Sequence, residues 1–217
     1  MRHLAPVISR DAQIGENCEI GHGAIIYGNA IIGDDCYIGA HAIIGAPPQH
    51  DGSYPSPLDG MKHTQGVRIG STACVREFVT VHGGVVSPTI IGDGALVMAY
   101  SHVSHDSRVG ARSTLSTGSI LGGFTLIDER VTFGQAVVTH PWIVVGEGAM
   151  IGLNSSVVKD VLPYQKVAGS PARLLGPNAH LLDVAEWSEA ALSDDAWDRY
   201  ATMTALRDAL REGWSRV

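Results

Sequence analysis

The sequence predicts a mainly β protein, a parallel β-helix of about seven coils with a short C-terminal α-helical tail, and three observations predict it. Apolar residues recur every six positions, from Ile8 through Ile14, Ile20, Ile26, Ile32, Ile38 and Ile44, then again from Ile69 to Val157. Neither a 3.6-residue helical period nor simple strand alternation produces that spacing. Glycine follows most of these positions, as at Gly15, Gly21, Gly33, Gly39 and Gly45, and is read as relieving the backbone at each corner. Small residues fill the site four places on: Cys18, Ala24, Ala30, Cys36 and Ala42, and later Ser101, Ser107, Ser113 and Ser119. Short strands joined by tight turns satisfy all three, with three strands to a triangular coil. About 22 hexads stacked at ~4.8 Å per rung make a prism on the order of 35 Å long.

Taken in order, the first run of hexads ends at Gly45. The segment from Ala46 to Gly66 is too rich in Pro, Gly and Asp to continue the coil and is predicted to project as a loop. Hexads resume at Ile69, Val75 and Val81, and Gly83 to Pro88 form a short bulge before Ile91. The long run that follows is broken only by Thr139, and the period stops after Pro163. From about Ala179 the pattern turns helical, with Ala196, Tyr200, Met203, Leu206, Leu210 and Trp214 on one face behind a Ser193-Asp194-Asp195 start signal. This divides the chain into a β-helix over 1–176, carrying the loop 46–66, and a helical tail over 177–217 that is expected to cap the end of the prism.

Composition narrows the function. A net charge of -7 argues against a nucleic-acid backbone binder and leaves small molecules or proteins as partners. No apolar run reaches the ~18 residues of a membrane span, and Met1 to Leu4 lead into patterned sequence without a signal-peptide core, so a cytoplasmic protein is expected. Cys18, Cys36 and Cys74 show no paired spacing and read as core thiols, the first two stacked one coil apart; no metal site is indicated.

The densest polar cluster is Tyr100 to Asp106, which holds His102, His105 and Asp106. A histidine near neutral pKa can take a proton from an acceptor hydroxyl or amine while an adjacent acid fixes its tautomer. One coil beyond His105 falls Gly123, whose backbone N–H is placed to serve an acyl-transfer oxyanion. His82, beside the bulge, and His140, about two coils above His105, are read as lining the same groove.

The runs Gly45-Ala46-Pro47-Pro48-Gln49, Val75 to His82, His102 to Asp106, Leu121-Gly122-Gly123 and Gly169 to Asn178 resemble the UDP-N-acetylglucosamine O-acyltransferases of lipid A biosynthesis. The resemblance covers roughly residues 5–178. It implies a left-handed coil and a homotrimer with sites between adjacent prisms. It also implies His105 as general base, Asp106 as its partner, Gly123 N–H as oxyanion donor, and an acyl thioester of acyl carrier protein or coenzyme A as co-substrate, with no bound cofactor. Gln49 and His82 would face the acceptor, Asn178 the donor arm. The chain departs from the family at His50, Phe124 and Pro141, and Leu181 to Ala185 lack the basic residues the family places after the asparagine. Val167 to Arg173 also resembles the closing segment of coenzyme A-dependent hexapeptide acetyltransferases, which makes that activity the alternative. A zinc hydratase of the carbonic anhydrase type is a weaker one, because His102 and His105 are too closely spaced for its ligand pair.

Overall fold

The computed structural model describes residues 4–49, 64–178 and 194–215. The hexads become short strands, 24 among the described residues, numbered from β1 (Val7–Ile8) to β24 (Arg173–Pro177), followed by one helix, α1 (Asp194–Trp214). Every third strand returns to the same side, making sheets of eight (face A), seven (face B) and nine (face C) strands. Ile8 lies under Ile26 and Ile26 under Ile44. Across both interruptions the inward ladder keeps its stacking, since Val81 pairs with Ile44 below and Val103 above, with a register shift at His82. Within a strand the second residue points in and is buried, as with Ile38, Val97, Leu115 and Ile127. The coil interior is thus one column of branched side chains per face, stabilised by burial at roughly 25 cal/mol per Å² of apolar surface.

Four expectations need correction. The glycine after the inward residue adopts the left-handed corner conformation at Gly45 (φ 82°), but not at Gly15, Gly21, Gly33 or Gly39. A Cβ on Gly21 would lie 2.4 Å from the Ala40 nitrogen and one on Gly39 2.5 Å from the Glu77 nitrogen, so close approach of the next coil demands glycine there. The left-handed residue comes two places later and is usually not glycine: Asp35, Phe78, Tyr100, Asp106 and Phe124 all have φ between 54° and 61°. The three faces carry eight, seven and nine strands, in line with about seven coils, but the ladder does not stop at Pro163. Beyond Val157 the ladder shortens its step, so that Val161 bridges to Val145 and Val167 sits over Ile151. The coil continues past Pro163 with its six-residue signature broken.

Third, α1 does not cap the end. It lies along the outside of face B, where Tyr200, Met203, Leu206, Leu210 and Trp214 pack on Phe124, Leu126, Trp142 and Val144. Leu126 and Val144 are the outward residues of their strands yet fully buried, because the helix takes the place of water there. The upper end of face C is closed instead by β24 running antiparallel to β23 (Gln165–Ala168). Fourth, Cys36 is buried and Cys18 packs against the core beside it, but Cys74 faces outward on face C between Tyr37 and Leu96. The start of the helical pattern at Ala179, the middle of the 46–66 segment, and His50 lie outside the described residues.

Candidate active site

The two interruptions of the hexad ladder before Ile91 fall on one edge of the prism, the corner between faces A and B. The long interruption leaves it after β7 (Ile43–Ala46) and the chain returns at β8 (Val67–Ile69); the bulge lies between β10 (Thr80–His82) and β11 (Thr89–Ile91). The two are tied together by Gly66 and Gly84, which form an antiparallel bridge, and by Thr64, whose hydroxyl donates to the Gly84 carbonyl at 3.1 Å. One rung higher, between β13 (His102–Val103) and β14 (Arg108–Val109), sit His105 and Asp106.

Asp106 is fully buried and accepts four hydrogen bonds. Three come from the bulge: Val85 N–H to Oδ2 at 2.8 Å, and Val86 and Ser87 N–H to Oδ1 at 2.8 and 2.7 Å. The fourth is His105 Nδ1–H to Oδ2 at 2.9 Å. With Nδ1 donating to the acid, Nε2 is left as the proton acceptor. That edge of the ring lies against Gly123, where an added Cβ would be 2.8 Å from both Nε2 and Cε1, so only glycine fits.

The peptide that carries Gly123 is held in place by its neighbours. Thr139, the one polar residue in the inward ladder, accepts the Gly122 N–H at 3.0 Å and meets the Thr125 hydroxyl at 2.9 Å, while Thr125 donates to the Gly122 carbonyl at 2.7 Å. The Gly123 N–H has no acceptor among the described residues. A base with its acid and an unused backbone donor therefore meet on one corner, the set that acyl transfer requires.

Two other histidines converge on this base. The rings of His82 and His102 are 5.0 Å apart. His82 donates from Nδ1 to the Pro47 carbonyl at 2.6 Å, and the Thr80 hydroxyl bonds His102 Nδ1 at 2.7 Å. Burial holds the His82 imidazole below its ordinary pKa, with the nearby His105 acting in the same direction. Burial, then His82 and His105, push His102 down to about 4. Among the described residues, no group of three His, Cys, Asp or Glu side chains has the arrangement to hold a metal ion.

The family described as Bacterial transferase hexapeptide (six repeats) matches residues 11–46. A Rhizobium johnstonii acyl-(acyl-carrier-protein) UDP-N-acetylglucosamine O-acyltransferase is 35% identical over 190 residues, covering 81% of this chain and 70% of that protein. The chain belongs to the UDP-N-acetylglucosamine acyltransferase family. A Campylobacter concisus member is 34% identical over 174 residues, 79% of this chain but 64% of the relative, so the chain spans a little under two thirds of that protein's length. The UDP-N-acetylglucosamine acyltransferase structure from Campylobacter jejuni superposes with a TM-score of 0.75 at 32% identity, covering 89% of this chain and 72% of that one.

Within one chain of this family member the remaining expected residues are spread apart. Gln49 is exposed at the root of the loop. His140 is exposed, its Nδ1 donating to the Pro141 carbonyl at 3.0 Å, and it does not join the histidine cluster. Asn178 lies at the corner between faces B and C, where it is buried and donates to the Gly148 carbonyl at 2.8 Å. The sequence reading missed Thr80 and Thr139, the three bulge N–H groups, and an aromatic wall. In that wall Phe124 stacks on Trp142 with ring centroids 3.7 Å apart, and Trp214 reaches the same place from α1. Phe124 stood out in the sequence only as a departure from the family pattern, and the left-handed corner conformation that it shares with Trp142 has no residue signature.

Proposed function

We propose that this chain transfers an acyl group from an acyl carrier protein thioester to a hydroxyl or amine of a small molecule, as a homotrimer in the cytoplasm. The observation that carries the reading is the hydrogen-bonded pair His105–Asp106 with Nε2 directed at the Gly123 peptide. His105 Nε2 takes the acceptor proton as the oxygen or nitrogen attacks the thioester carbonyl. The carbonyl oxygen becomes an oxyanion that accepts the Gly123 N–H. Collapse breaks the C–S bond, and the imidazolium returns its proton to the leaving thiolate. Asp106, saturated with donors, keeps the Nδ1 proton in place and with it the tautomer that leaves Nε2 as the acceptor. His82 and His102, both kept neutral by burial, offer hydrogen bonds to the acceptor without competing for its proton.

The relatives named above are acyl carrier protein-dependent by name, which favours that donor. Among the described residues no helix is long and apolar enough to cross a membrane. The test presents the protein with acyl carrier protein and coenzyme A thioesters of graded chain length and follows thiol release with and without candidate acceptors. Acceptor-dependent thiol release that His105→Ala abolishes supports the reading. Release from coenzyme A thioesters alone would move it to the acetyltransferase alternative, and no release from any thioester would end it.

A further inference from the structure

His105 is only 7% exposed, and part of its cover comes from the far end of the chain. The Trp214 indole, in the last turn of α1, lies 5.7 Å from the imidazole at 21°, close to parallel. Phe124 meets the same imidazole edge-on at 5.2 Å and 89°, and meets Trp214 at 5.2 Å and 69°. The turn is fitted to the site: a Cβ on Gly213 would lie 2.8 Å from Val86 Cγ1, and the Val86 N–H is one of the donors to Asp106. Arg211 places its guanidinium 5.2 Å over the Trp142 ring, against which Phe124 is stacked. The helix is secured away from the chemistry by Arg207, whose Nη1 is 2.5 Å from Asp160 Oδ2, and by Arg199, which pairs with buried Glu147.

A hydrogen bond at Nδ1 fixes one point of an imidazole, whereas a flat ring stacked on its face sets its plane, and an apolar wall keeps water from competing for Nε2. We propose that Trp214 is a positioning residue that sets the plane of the His105 imidazole and shields one face of it, which makes α1 part of the active site. This rests on the reading of His105 as the base.

The test uses the full chain with Trp214→Ala, Trp214→Phe and His105→Ala, and two measurements. One is steady-state transfer from an acyl carrier protein thioester. The other is carbethoxylation of each histidine by diethyl pyrocarbonate, followed by peptide mass, with exposed His140 as the internal standard. For Trp214→Ala, kcat is expected to fall by roughly 10- to 100-fold, the scale of a small misplacement of a reacting group, with donor KM held within about threefold. His105 should be labelled about tenfold faster relative to His140 once its cover is gone, and Trp214→Phe should restore most of both. Unchanged His105 labelling in Trp214→Ala, or a raised KM at constant kcat, overturns the proposal. If His105→Ala turns over at the wild-type rate, the base assignment falls and the catalytic role of Trp214 with it. The labelling still reports separately whether the indole covers that ring.

Discussion

His82 and His102 are poor bases where they stand, and His105 is the one histidine of the cluster with a carboxylate beside it. Replacing His105 with Ala should lower turnover by roughly 10²–10⁴-fold, the usual contribution of a general base. His102→Gln should cost much less, because His102 is neutral at working pH. Equal losses in the chemical step of the two variants would mean that the base is misassigned. The depressed His102 pKa also has a stability consequence whose sign follows from linkage. In the unfolded chain the imidazole takes its proton near 6.5, in the folded chain at about 4. Between those values the unfolded state binds more protons, so stability rises with pH across that window and falls as acid is added. His82, shifted in the same direction, adds to it. Urea midpoints measured from pH 4 to 7 should climb for the wild type and climb less for His102→Gln; parallel curves would contradict the shift.

At the level of elements, the coil was legible because each inward position needs a branched apolar residue and each close approach a small one, so the period is written in residue types. The excursions were legible as breaks in that period. What they do was not: the bulge holds Asp106 through the N–H groups of Val85, Val86 and Ser87, and backbone donors have no residue signature. The apolar face of α1 could be read, yet not its destination, because Leu126 and Val144 look like ordinary outward hexad positions until a helix covers them. Their burial makes the docking testable. Leu210, buried at the centre of this contact, should destabilise the docked helix by on the order of 2–4 kcal/mol when changed to Ala. Hydrogen exchange should then quicken across α1 while amides of the inner strands keep their protection. Uniform loss of protection would mean that helix and prism unfold as one unit.

For the whole molecule, the face beside the histidines is the informative one. Outward on face A run Val7, Ile25, Ile43, Thr80, His102, Ile120 and Val138, a mainly apolar stripe interrupted by the site residues Thr80 and His102, with Val7 63% and Ile120 47% exposed. A flat stripe of that kind next to a half-open site suits a neighbouring prism, so sedimentation at micromolar concentration should give the trimer mass; a monomer mass would refute the assembly. Charge decides what such an assembly accepts. Arg199 and Arg207 of α1 are spent on prism carboxylates and Arg211 on Trp142, whereas Asp194, Asp195, Asp198, Asp208 and Glu212 face solvent. The segment Leu181 to Ala185, outside the described residues, carries Asp183 and no Lys or Arg. A diphosphate is ordinarily held by charge-assisted bonds from such cations, and an acid in their place repels it. UDP-N-acetylglucosamine should therefore bind with a dissociation constant well above the ~1 μM that ~8 kcal/mol of binding free energy would give, and a hydroxyl or amine on an uncharged or less anionic molecule should be acylated faster. Titration calorimetry giving micromolar or tighter binding of the nucleotide sugar would refute this, and would require cations from elsewhere in the trimer to meet the phosphates.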